Sequence, residues 1–213
     1  MQNEKGNLKT DNTERCIKLQ WPSLLCLTKT LDNTPLTSPE WFPMRVTYQR
    51  ELKMKDHLDG PGIETFVPMH YEITGQGDQS QYKLTPAIHN LIFVRSTQEM
   101  ITFLKMTRQE LAPLRYMMKP SENGNGHEIM RVPDRQMENF IRVASSSNDK
   151  VKFLTYEKFL DQPGQRVRVT EGYFAGVEGV IKRIKNNKHV VVQIDGIAAV
   201  AITYVPRQSL QAI

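Results

Sequence analysis

Between Gly164 and Ile184 the sequence spells a strand, a glycine-punctuated turn and a second strand. Val167 and Val169 alternate with Arg166 and Arg168, the pattern of a half-buried strand with a basic outer face. Gly172, Gly176 and Gly179 then interrupt the run where the backbone needs positive φ or close approach, both of which glycine tolerates best. Val180-Ile181 resumes a buried strand, with Lys182, Arg183 and Lys185 at its end. Further on, His189 to Ile194 and Ile197 to Tyr204 read as strands and Arg207 to Leu210 as a stub. Asn186-Asn187 and Asp195-Gly196 are the turn signals between them. So many short strands leave little room for a helix, and residues 163–213 are expected to form a small closed or nearly closed β-barrel.

Upstream the pattern changes. Residues 1–40 are polar and uneven around one apolar patch, Trp21 to Leu27, and end in Pro35 and Pro39 among Thr and Ser. Such a segment reads as a disordered or weakly ordered extension. Trp41 opens a domain over 41–144. Phe42 to Thr47 has strand character, and Tyr48 to Asp59 reads as a helix stopped by Gly60-Pro61-Gly62. Ile63 to Val67 alternates as a strand that Met69 to Thr74 extends, and Gln81 to Thr85 returns after the turn at Gly75-Gln76-Gly77-Asp78. Ile88 to Val94 holds the buried run Leu91-Ile92-Phe93-Val94. Ser96-Thr97-Gln98-Glu99 has the form of a capping box for a helix ending near Arg108. Leu114 to Met118 is a short strand, and Pro133 starts a third helix with Met137, Phe140, Ile141 and Ala144 on one face. The fold class is therefore α+β, an antiparallel sheet flanked by helices. Residues 145–162, beginning Ser145-Ser146-Ser147-Asn148-Asp149-Lys150, read as a linker.

Charge sharpens the division. The chain of 213 residues carries a net charge of +5. Residues 1–40 hold five basic and five acidic side chains, 41–162 hold 16 and 15, and 163–213 hold seven and three. The excess thus sits in the last module and suits nucleic acid or an acidic protein surface; an ordinary basic surface is the plain alternative. No apolar run approaches the ~18 residues of a membrane span, and the N-terminus lacks a charged-then-apolar export pattern. A cytoplasmic protein without membrane contact is expected. Cys16 and Cys26 belong to no CxxC pair and read as free thiols.

Two further features bear on family. One is Trp41-Phe42-Pro43-Met44-Arg45-Val46, then a helix, then Ile63-Glu64-Thr65-Phe66-Val67-Pro68; the other is Asn90-Leu91-Ile92-Phe93-Val94 after a hairpin. Their order resembles the N-terminal domain of NusG-like factors, and the glycine-punctuated stretch from Gly164 resembles the KOW motif of small barrels in ribosomal proteins and NusG-type factors. The resemblance covers about residues 41–213. Ile88-His89-Asn90-Leu91 stands where the family usually has Phe-Pro-Gly-Tyr, and the long polar leader is atypical of housekeeping members. Both features look like a specialised paralogue of the RfaH-like or UpxY type, which serve particular long operons such as surface polysaccharide loci.

The resemblance implies a monomeric, non-enzymatic elongation or antitermination factor, without cofactor, whose N-terminal domain binds the clamp region of RNA polymerase. Thr47, Tyr48, Ile88, Leu91 and Phe93 are the candidate contacts; plain core packing is the other reading for the apolar ones. Arg45, Arg50, Lys53 and Lys55 would face non-template DNA, or else form a solvated helix face with Glu51 pairing Lys55 at i, i+4. Tyr173 and Phe174, set in a glycine-flanked loop, would dock a ribosomal protein or termination factor, unless Phe174 plugs the barrel end. Lys182, Arg183 and Lys185 would meet nascent RNA or an acidic protein. The rival function is a KOW-type RNA- or ribosome-binding protein that does not act on polymerase. Catalysis finds little support: the five histidines are scattered, with no HExxH, GxSxG or phosphate-binding loop, and no metal site is expected.

Overall fold

The computed structural model describes residues 38–75, 81–121, 123–146, 150–154, 164–184 and 187–213. The apolar patch at Trp21 to Leu27, both cysteines and Lys185 lie outside these residues, as does most of the proposed linker. The described residues belong to one compact unit, Thr37–Ile213.

The chain runs through β1 (Glu40–Val46), α1 (Glu51–Asp59), β2 (Glu64–Phe66), β3 (Met69–Thr74), β4 (Gln81–Pro86), β5 (Leu91–Ser96), α2 (Gln98–Thr107) and β6 (Leu114–Tyr116). Four of these strands form a sheet in the order β2-β5-β1-β6, antiparallel throughout. Strand alternation gives this sheet two apolar faces. Phe42, Met44, Val46, Ile92 and Val94 pack against Met54 and Leu58 of α1 and Ile101 and Leu104 of α2. Trp41, Leu91 and Phe93 point the other way. A small hairpin of β7 (Met118–Pro120) and β8 (His127–Ile129) then leads to α3 (Asp134–Ala144). Met137, Phe140 and Val143 of α3 recur at helical spacing and cover the second face. Phe140 meets Phe93 at 5.8 Å and Phe66 at 6.2 Å between ring centroids.

A second antiparallel sheet follows, built from β9 (Val151–Leu154), β10 (Arg166–Val169), β11 (Glu178–Ile184), β12 (Asn187–Ile194), β13 (Ala198–Thr203) and β14 (Leu210–Ala212). Its order is β14-β10-β11-β12-β13-β9. Val167, Val169, Val190, Val192, Val200 and Ile202 share one buried cluster with Phe174 and Val177, while Val191, Ala199 and Ala201 fill the opposite side. The glycines explain how the chain turns within it. Gly172 and Gly176 have φ of 83° and 88°. At Gly179 the need is room: a Cβ there would stand 2.7 Å from the Val191 carbonyl oxygen.

Helix α3 lies between the two sheets, and its two flanks differ in chemistry. The apolar flank lies in one buried cluster with residues of both sheets. On the other, the Gln136 side-chain amide donates to the Gln193 carbonyl at 3.0 Å, and the Glu178 N–H donates to Asn139 Oδ1 at 3.3 Å.

Several local expectations need correction. The first helix starts at Glu51 rather than Tyr48, because Tyr48 and Gln49 take left-handed φ of 63° and 52°. Met69 to Thr74 does not extend β2; the chain breaks at Val67-Pro68, and β3 pairs with β4 as a separate hairpin. The cap of α2 is Thr97, whose hydroxyl accepts from the Met100 N–H at 3.2 Å, not Ser96 one residue earlier. Within the segment read as a linker, Val151–Leu154 is a strand paired with β13.

Candidate functional site

The most unusual backbone in the first sheet lies where β1 hands over to α1. Tyr48, Gln49 and Asn90 all have positive φ, the last at 61°. Such conformations cost side-chain-bearing residues energy and persist only where neighbours over-determine them. Here the neighbours do so. The Asn90 carbonyl accepts from the Val46 N–H at 3.1 Å, and Asn90 Oδ1 accepts from the Gln49 N–H at 3.0 Å. The Asn90 N–H in turn donates to the Glu51 carboxylate, which is buried at 1% exposure. One of the two sequence readings of this helix made Glu51 a surface partner of Lys55. Lys55 instead pairs with Asp59 at 2.5 Å, and Glu51 serves the corner.

The corner holds Tyr48 outward at 81% exposure, with the Arg50 guanidinium 5.4 Å from its ring centroid. A tyrosine braced this way suits a half-wet protein contact. The same pair suits stacking on an unpaired base together with phosphate contact. Thr47, Arg45 and Lys53 are exposed, and Ile88 is half-buried, packed against the cluster that holds Leu91 and Phe93.

Leu91 and Phe93 are not part of that surface. They are 4% and 0% exposed because alternation turns them towards α3, which covers them. Of the five candidate protein contacts, only Thr47 and Tyr48 stand free in solvent, with Ile88 partly so.

In the second sheet, Phe174 is buried at 6% exposure while its neighbour Tyr173 is exposed at 68%, the two rings meeting edge to face at 5.0 Å. Phe174 therefore anchors the turn and Tyr173 remains available. Lys182 is also buried, at 5%, which removes it from the basic surface; Arg183 is exposed.

Sequence reasoning missed the polar flank of α3. Arg135, Gln136, Asn139 and Arg142 recur at helical spacing on one side, a signal that looks like an ordinary wet face until a second sheet is placed against it. Glu178 is the centre of this contact. One of its carboxylate oxygens takes Arg135 at 2.5 Å and Arg168 at 2.6 Å. Hydrogen bonding from Arg168, partly opposed by burial and reinforced by the Arg135 charge, holds this carboxyl below the usual glutamate range. Between hairpin β3–β4 and β9 lies an open groove of about 1010 Å³, with Phe66, His70, Tyr71, Leu84, Val151 and Phe153 in its walls. Among the described residues there is no cluster suited to hold a metal ion, and no helix long and apolar enough to cross a membrane.

Comparison with known proteins assigns the first of these regions. Residues 39–141 match the family model NusG, described as transcription termination factor nusG. Over that span this chain is similar to the NusG family. The matched span runs from just before β1 to within α3, so the Tyr48–Asn90 corner lies inside it. No curated protein matches the sequence. A solved structure described as "Domain interaction in Thermotoga maritima NusG" is similar at 18% identity and a TM-score of 0.41, over 83% of this chain and 98% of that one.

Proposed function

We propose that this protein is a non-enzymatic transcription elongation and antitermination factor that binds RNA polymerase in the cytoplasm. The similarity to the NusG family over residues 39–141 carries the reading, and the exposed, over-determined Tyr48 corner supports it with a surface suited to anchoring. In this reading Thr47, Tyr48 and Ile88 meet the clamp region of the polymerase. Arg45, Arg50 and Lys53 lie towards non-template DNA. Binding energy does the work: a factor that prefers the closed, elongating form of the polymerase shifts the population away from paused states. Leu91 and Phe93 act only by supporting the sheet.

The second sheet is read as a KOW barrel that recruits another component, a ribosomal protein or termination factor, with exposed Tyr173 and Arg183 as its contacts. The departure from Phe-Pro-Gly-Tyr at Ile88–Leu91 and the polar leader support a specialised paralogue acting on particular long operons, such as surface polysaccharide loci.

The test is capture of purified core RNA polymerase by the immobilised protein. Wild type retains polymerase and Tyr48→Ala loses at least tenfold in affinity. Retention of ribosomal RNA from lysate, with no polymerase bound, would overturn the reading.

A further inference from the structure

The charges of the second sheet are sorted by end. Its neighbouring strands alternate in direction, so β10 finishes, β11 starts and β12 finishes at one end, which also carries the Tyr173 turn. All three acidic residues of the span 163–213 sit there. Glu171 follows β10, Glu178 opens β11 and Asp195 follows β12. At the opposite end β11 runs out through Lys182 and Arg183, and β12 begins with Asn187, Lys188 and His189. Arg183 and Lys188 are both exposed and stand directly opposite each other in register. Like charges so placed repel, and among the described residues neither has an acidic partner.

A pocket of about 330 Å³ opens at this basic end. Its walls combine the aliphatic side chains of Val167, Val190 and Leu210 with Lys188, His189 and Arg207. No acidic side chain lines it, and no aromatic one besides the His189 imidazole. His189 Nδ1 is buried and has no hydrogen-bond partner among the described residues. A buried polar atom of this kind calls for a physical reason, and here it belongs to a residue in the wall of a cationic cavity. Apolar walls with a few convergent polar groups are the usual build of a small-ligand site.

We propose that this pocket binds a carboxylate carried on an aliphatic body. Arg207 and Lys188 supply charge-assisted hydrogen bonds to the carboxylate, and His189 supplies a further donor from its buried nitrogen. Val167, Val190 and Leu210 take the hydrocarbon out of water. The aliphatic walls argue against a nucleobase, which stacks on aromatic rings. Two sources carry the chemistry: a free short-chain carboxylic acid, and an acidic residue beside an aliphatic one in another protein. The site is separate from the Tyr48 corner and from the Tyr173 turn, and it does not depend on the polymerase reading.

Amide NMR spectra of the isotope-labelled full chain test it with three probes: isocaproate, its uncharged isostere isocaproamide, and the acetylated, amidated dipeptide Leu-Asp. Isocaproate is expected to shift the amides of Val167, Val190 and Leu210 saturably, and isocaproamide to bind at least tenfold more weakly. Arg207→Gln and Lys188→Gln should each weaken isocaproate at least fivefold while keeping the wild-type thermal transition. Lys152→Gln removes an exposed charge outside the pocket and should leave its binding unchanged. Tighter binding of the dipeptide assigns the site to a protein partner, and tighter binding of isocaproate assigns it to a small acid; both sustain the proposal. Equal binding of isocaproate and isocaproamide overturns it. So does isocaproate binding that neither pocket variant weakens, the absence of shifts at these amides with either carboxylate, or a single-stranded RNA oligonucleotide that shifts them at lower concentration than both.

Discussion

Arg135 of α3 and Glu178 of β11 meet at 2.5 Å, and this ion pair joins the helix of one sheet to the first residue of a strand in the other. Glu178 is mostly buried, at 12% side-chain exposure, whereas Arg135 is 69% exposed. The arginine can therefore retreat into water at little cost, while the carboxylate depends on its two partners. The apolar flank of α3 packs into a buried cluster shared by both sheets, and the Arg135–Glu178 pair adds a polar contact that salt and acid weaken.

Glu178→Gln is expected to lower stability by about 1 kcal/mol, the small size reflecting the exposure of Arg135. Its dependence on pH has a definite sign. A native pKa held below the unfolded one adds stability above the ordinary carboxylate range, about pH 4.3, and withdraws it as pH falls through the native value. Denaturant titrations at pH 7 and pH 3 check this: the difference between wild type and Glu178→Gln should be present at pH 7 and shrink at pH 3.

The Tyr48 corner gives a pair of opposed effects. Glu51→Ala strips the Asn90 N–H of its buried acceptor and is expected to cost about 1–3 kcal/mol. Gln49→Gly removes a side chain from a residue at φ 52° and is expected to be neutral or stabilising by up to about 1 kcal/mol. Urea midpoints measured against wild type should fall for Glu51→Ala and hold or rise for Gln49→Gly.

Two glycines, Gly172 in the turn and Gly179 in β11, separate space from backbone freedom. Gly172→Ala meets nothing within 4 Å but keeps a φ of 83°, so it should cost about 1–2 kcal/mol. Gly179→Ala puts a methyl 2.7 Å from Val191 O and 2.9 Å from Val190 Cγ1. It should cost more, with overpacking typically worth about 1–3 kcal/mol and backbone having nowhere to shift. Thermal melts of both variants test the ranking.

What was legible in the sequence was local. The alternation in β10, the breakers around α1 and the apolar spacing of α3 each declare an element through neighbours a few residues apart. Leu91 and Phe93 show the limit. Alternation says that they share a face, but only the placing of α3 over it makes them interior. Glu51 was misread for a related reason: its helical spacing to Lys55 is visible, while its bond to Asn90 spans 39 residues. Strand β9 escaped notice because Val-Lys-Phe-Leu is too short to stand out beside a serine-rich stretch; its identity as a strand comes from β13, not from itself.

The central claim is that the Tyr48 corner acts on transcribing polymerase, and single-round transcription across a strong pause site measures it most directly. Wild type should shorten the pause at least threefold, and Tyr48→Ala should return it to the value without factor while melting at the wild-type temperature. Phe93→Ala provides the contrast: it should lose activity only in step with a stability loss of about 3–5 kcal/mol. Pause lifetimes unchanged by wild-type protein, or shortened equally by wild type and Tyr48→Ala, would contradict the account.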